Sequence, residues 1–108
     1  MKGLWRRLCR EERRRRAWSE VLLQNIQRAI QEKRFVFALR HCEELLEKDP
    51  RNIKAWLIRG HLAWKYENDT AKAVRCYRQV LILGGYESAN ASVAQARASL
   101  AQLLGPEP

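Results

Sequence analysis

The sequence predicts an all-α chain, and three observations carry that expectation. Apolar residues recur at spacings of three and four through most of the 108 residues, as they do on helices with one buried face. Glycine (5) and proline (3) are scarce and cluster at the apparent boundaries, where helices stop. No stretch reads as a strand. The length allows one domain, and 46% hydrophobic with 31% charged residues suits a folded chain better than a disordered one.

The first helix is expected from Trp18 to about Lys33, on the stripe Trp18, Leu22, Ile26, Ala29 and Ile30. The preceding "CREERRRRA" consists of strong helix formers and can extend it toward the N-terminus. A second helix should run from about Arg34 to Lys48, burying Phe35, Ala38, Leu39, Cys42, Leu45 and Leu46. Asp49-Pro50 ends it, because the residue before a proline disfavours helical geometry. Asn52 is placed to cap a third helix, from Ile53 to about Tyr66. Asp69 or Thr70 can cap a fourth, through Leu83, with the stripe Ala73, Tyr77, Val80 and Leu81; Gly84-Gly85 then stops it. Ser88 is expected to cap a fifth helix to Leu104, with Ala89, Val93, Ala96, Leu100 and Leu103 on one face. The closing "GPEP", residues 105–108, reads as a frayed tail.

The chain also aligns with itself. Leu22 falls on Trp56, Ile26 on Gly60 and Ala29 on Ala63 at an offset of 34, while Ala38 falls on Ala73, Cys42 on Tyr77, Leu45 on Val80 and Pro50 on Gly85 at 35. Period and helix–turn–helix content resemble the tetratricopeptide repeat family. The resemblance covers residues 19–104: repeats at about 19–52 and 53–87, and a capping helix at about 88–104. It departs from the family at Ile26, where a small residue is usual, at Arg59, where a leucine is usual, and at Gly85, where a proline is usual. The fold implied is an α-α superhelix of two helix hairpins plus a capping helix, preceded by an arginine-rich helical extension, residues 1–17.

The resemblance implies a concave groove lined by the first helix of each hairpin, taking a peptide or a partner helix. Its candidates are Leu23, Gln24, Gln27 and Gln31, then Lys54, Leu57, Ile58, His61 and Lys65, then Ala89, Ser92, Val93 and Ala96. Some relatives clamp a carboxylate with lysine and asparagine. Leu23, Gln27 and Ile58 stand in those places, so no clamp is expected. Leu57, Ile58 and Trp64, edged by Lys54, His61 and Lys65, suit an amphipathic helix with acidic residues; the alternative is that Leu57 and Ile58 simply pack on a neighbouring helix. Two full hairpins are fewer than the ~3 repeats that usually bury a continuous core, which makes self-association a further expectation.

Catalysis and metals find little support. There is no glycine-rich phosphate loop, no nucleophile elbow, and no carboxylate pair flanked by apolar residues. His41, Cys42, His61 and Cys76 offer no pair at the i, i+4 spacing of helical metal ligands. Glu43, Glu44 and Glu47 read as a solvated face. A non-enzyme without cofactor or metal is expected. The three cysteines, an odd and widely spaced set, make no disulfide framework. Residues 3–9 are too short and charged for a signal-peptide core, and no apolar run reaches ~18 residues. A cytoplasmic protein without a transmembrane segment is the expectation.

Net charge is +9, unevenly placed. Residues 1–20 hold Lys2 and seven arginines against Glu11, Glu12 and Glu20, leaving +5. Arg6, Arg7, Arg10, Arg13, Arg14, Arg15 and Arg16 admit three readings. One is a solvated helix with Glu11 and Glu12 paired to arginines three or four residues on. Another is contact with nucleic acid or an acidic protein tail, aided by Trp5 or Trp18. The third is an address, nuclear or otherwise, or a short amphipathic anchor on Leu4, Trp5 and Leu8. Together these features point to a non-catalytic interaction module: an adaptor, co-chaperone or assembly factor. The alternative is a nucleic-acid-associated protein that binds phosphates through the arm.

Overall fold

The computed structural model describes residues 2–105, in five helices: α1 (Lys2–Gln31), α2 (Phe35–Lys48), α3 (Ile53–Lys65), α4 (Thr70–Gly84) and α5 (Ala91–Leu104). Most of the expected tail, residues 106–108, lies outside the described residues. Each helix packs on the next in sequence, and α5 also reaches α3. The result is two hairpins, α1–α2 and α3–α4, closed by α5.

The turns follow from local chemistry. After α1, Lys33 takes the left-handed conformation (φ 61). Its N–H reaches the Ile30 carbonyl at 3.0 Å, and the Arg34 N–H reaches that of Ala29 at 2.8 Å. This is a Schellman stop with lysine where glycine is usual. The second turn is the seam between hairpins. Asn52 Oδ1 accepts from the Ala55 N–H at 3.0 Å and caps α3, while its Nδ2 donates to Asp49 Oδ2 at 3.1 Å. Ser19, from α1, donates to the same oxygen at 3.0 Å, and the Trp56 indole donates to the Pro50 carbonyl at 2.7 Å. Asp69 caps α4 through the Lys72 N–H. Gly85, at φ 90, ends α4 in a conformation that side chains rarely adopt.

Two buried clusters share α3. Leu23, Ile26, Ala38, Cys42 and Leu45 meet Ala55, Ile58 and Leu62 on one side. Leu57 and Ala63 meet Ala73, Tyr77, Val80, Val93 and Ala96 on the other. The self-aligned pairs Ala38/Ala73, Cys42/Tyr77 and Leu45/Val80 are all 0% exposed, so the sequence offset is also the repeat of the core. Gly60 lets α3 and α4 approach: a Cβ there would stand 2.8 Å from a ring carbon of Tyr77.

Two expectations are corrected. Asn90, not Ser88, caps α5, accepting from the Ser92 and Val93 N–H groups at 2.8 and 3.4 Å. The Ser88 hydroxyl instead accepts from the Asn90 N–H at 3.1 Å, holding the chain in a turn. Ala89 therefore precedes the helix and is exposed. Glu43 is also more than part of a solvated face, for it reaches Arg59 at 3.3 Å. The arginine-rich segment is helical from Lys2 and continuous with α1. It carries the longest dimension of the molecule, 57 × 33 × 19 Å, past the hairpins.

Candidate functional site

The first helices of the hairpins, with α5, line one side of the protein. Gln27, Ile30 and Gln31 of α1, Lys54, Leu57, Ile58 and His61 of α3, and Ala91, Ser92 and Gln95 of α5 enclose a depression of about 570 Å³. A smaller one of about 340 Å³ adjoins it, between Glu20, Leu23, Gln24, Gln27 and Lys54. The two share Gln27 and Lys54, so they form one concave run along α1 and α3.

Of the residues expected to meet in a groove, Leu23, Gln24, Gln27, Gln31, Lys54, Leu57, Ile58, His61 and Ser92 line it. Lys65 does not: its ammonium lies 3.8 Å from the ring centroid of Trp64. Val93 and Ala96 are fully buried among α3 and α4. Ala91 and Gln95 were not expected. The expected Ser92 is the signal that could have found them, since Ala91 precedes it and Gln95 stands three residues on, on the same face.

The floor and the rim differ in chemistry. Leu57 and Ile58 are each 7% exposed, because Leu57 points into the α4–α5 cluster and Ile58 into the α1–α2 cluster. Packing on neighbouring helices is thus what these two side chains do, and they leave only a thin apolar floor. The rim of the larger depression is uncharged apart from Lys54, and no carboxylate lines it. Three glutamines and a serine offer amide and hydroxyl groups that can both donate and accept.

His61 adds no charge there at neutral pH. It is half-buried, its Nδ1 lies 2.6 Å from the Tyr77 hydroxyl, and the two rings meet edge-on. Burial holds its pKa below the ordinary imidazole range; Lys65 adds to that and Gln95 opposes it. The two buried thiols are equally unreactive. Burial pushes Cys42 up to about 12, and its Sγ–H donates to the Ala55 carbonyl at 3.4 Å. Cys76 is raised by burial too. Neither is a thiolate nucleophile near neutrality.

The arm is a second candidate. Glu12 pairs with Arg15 and, at 3.3 Å, with Arg16. Arg6, Arg7, Arg10, Arg13 and Arg14 make no ion pair among the described residues. Leu4, Trp5 and Leu8 are 58, 69 and 50% exposed. No helix among the described residues is long and apolar enough to cross a membrane.

Neither a protein-family model nor a curated protein matches the sequence. Among solved structures, the chain is similar to a tetratricopeptide repeat domain protein from Salinibacter ruber. The TM-score is 0.72 at 19% identity, over 82% of this chain and 98% of that one. At this identity the likeness is one of fold, and the fold is tetratricopeptide-like.

Proposed function

We propose, with the tetratricopeptide-like fold as premise, that this chain is a non-catalytic protein-interaction module whose concave run holds an acidic peptide. The observation that carries the reading is the rim: Gln27, Gln31, Ser92 and Gln95 around a depression whose single charge is Lys54. Amide side chains suit a peptide backbone, which presents donors and acceptors in alternation. The thin floor of Leu57 and Ile58 offers little apolar area, so an extended peptide fits better than the apolar face of a helix. One ammonium on the rim of the larger depression, which has no carboxylate, favours one acidic side chain beside it.

The test uses an array of immobilised peptides that vary only in the number and placement of acidic residues. Full-length protein should be retained best by peptides with one or two acids, and Lys54→Glu should weaken retention about tenfold or more, a typical effect of reversing a contacting charge. Lys54 is exposed, so the fold should survive the change. Retention that ignores Lys54→Glu, or that follows the arginines of the arm instead, overturns the reading.

A further inference from the structure

The arm presents two arcs along one helix, and the concave run uses neither. At 100° per residue, Leu4, Trp5, Leu8 and Cys9 span about 140° of the helix surface, an arc that Glu12, Arg15 and Arg16 continue on the next turn, while Arg6, Arg7, Arg10, Arg13 and Arg14 occupy about 120° on the opposite side. The five arginines of that arc are the ones without a carboxylate partner among the described residues. Of residues 2–17, only Cys9 and Glu12 are even partly sheltered.

We propose that this arm is an amphipathic anchor for an anionic lipid surface. A basic helix with tryptophan and leucine on its other face sits at the boundary between headgroups and acyl chains. Each arginine near such a surface is attracted by the negative potential of the leaflet. Trp5 is the most exposed large apolar side chain among the described residues, and indole favours that interface.

Geometry sets how the arm would engage. Leu8 stands eighteen residues, or five full turns, before Ile26, so it points the same way as the stripe that packs toward α2. α2 ends beside α1 at Trp18 and Ser19: Lys48 Nζ lies 5.2 Å from the Trp18 ring, and Ser19 bonds Asp49. About 15 Å of bare helix therefore separates Leu8 from the hairpin. The hairpin projects on the same side, so a flat helix would drive α2 into the membrane. A tilt of roughly 40°, tip first, clears it, given helix spacings of 8–10 Å.

Other occupants fit less well. A second copy of the arm, packed apolar arc on apolar arc, would leave both sets of unpaired arginines facing away and without a partner. Two turns of apolar residues are also shorter than the roughly 3 heptads of a helix–helix seam. Nucleic acid would use the arginines, with the Trp5 ring at their edge, but leave Leu4 and Leu8 in water.

The test is flotation of the full chain with phosphatidylcholine vesicles, with and without a third of the lipid replaced by phosphatidylserine. Two variants accompany it, Trp5→Ala/Leu8→Ala and Arg6→Gln/Arg10→Gln/Arg13→Gln. All five positions are exposed, and circular dichroism checks that the helix persists. Binding to the anionic vesicles should be at least about tenfold tighter than to neutral ones, and each variant should lose about tenfold or more. Absence of flotation overturns the proposal. So does binding that survives Trp5→Ala/Leu8→Ala, which would make the contact one of charge alone. Salt-sensitive binding to duplex RNA without vesicle binding would assign the arm to nucleic acid instead.

Discussion

Arg59 is the residue at which sequence and fold family part company, and its surroundings explain how the exception is tolerated. The side chain is 5% exposed, yet its guanidinium reaches Glu67 at 2.5 Å and Glu43 at 3.3 Å. Burial pulls its pKa down, but the hydrogen bond and charge of Glu67 more than offset this, so the net direction is up. A buried cation left without its carboxylate costs far more than an apolar residue in the same place. Glu67→Ala should therefore destabilise the fold by about 1–3 kcal/mol, less than a fully buried pair because Glu67 keeps some contact with water. Arg59→Leu, which restores the residue usual in the family, should cost about 1 kcal/mol or less. Urea unfolding midpoints decide the order. Were Arg59→Leu the more damaging change, the arginine would matter through packing rather than through its ion pairs.

At the scale of helices, what could be read from the sequence was what local chemistry decides. Asn52 and Asp69 cap their helices because each stands just before a helical run, Asp69 filling the place that Thr70 also offered to fill. Pro50, Gly85 and the stripes of α2 and α4 are equally local. The fifth helix was misplaced because Ser88 and Asn90 are both good caps two residues apart. The choice between them rests on a tertiary contact, Val93 lodged against Gly84 where any Cβ would collide. That shift leaves Ala89 outside the helix, while Ala96 turns into the core and Ala91 and Gln95 join Ser92 on the α5 side of the groove. The α1 and α3 sides were legible because repeat register alone sets them. Ser19–Asp49, thirty residues apart, and Arg59–Glu43, sixteen apart, leave no local trace. At Gly60, where α3 and α4 approach closely, the geometry gives a substitution its sign. Gly60→Ala gains ~1 kcal/mol of helix propensity but overpacks at a cost of ~1–3 kcal/mol. Tyr77 cannot easily yield, because its ring is fully buried and its hydroxyl is held at His61. A net loss of about 1 kcal/mol is expected, lowering Tm by ~4–8 °C. A higher Tm would mean that the Tyr77 ring moves aside.

For the whole molecule, the position of α3 in both clusters sets the hierarchy of stability. Repeat arrays hold together through contacts between neighbours, so the unit with packed elements on both sides opens last. Here α3 meets α2, α4 and α5, whereas α5 ends the stack and the arm has no packed neighbour at all. Amide exchange should be slowest in residues 55–63 and 73–81, faster in α5, and fastest in residues 2–17. The arm is held as a helix only by its continuity with α1, since an isolated helix of its length is marginal in water. Removing residues 2–16 should therefore change the unfolding free energy by no more than about 0.5 kcal/mol, the usual range for surface changes. Ser19, which ties α1 to the seam, stays in place in that variant. A loss above about 1 kcal/mol would show that the arm packs on the hairpins. Its exposed leucines and tryptophan would then be part of the fold rather than a surface held ready for a partner.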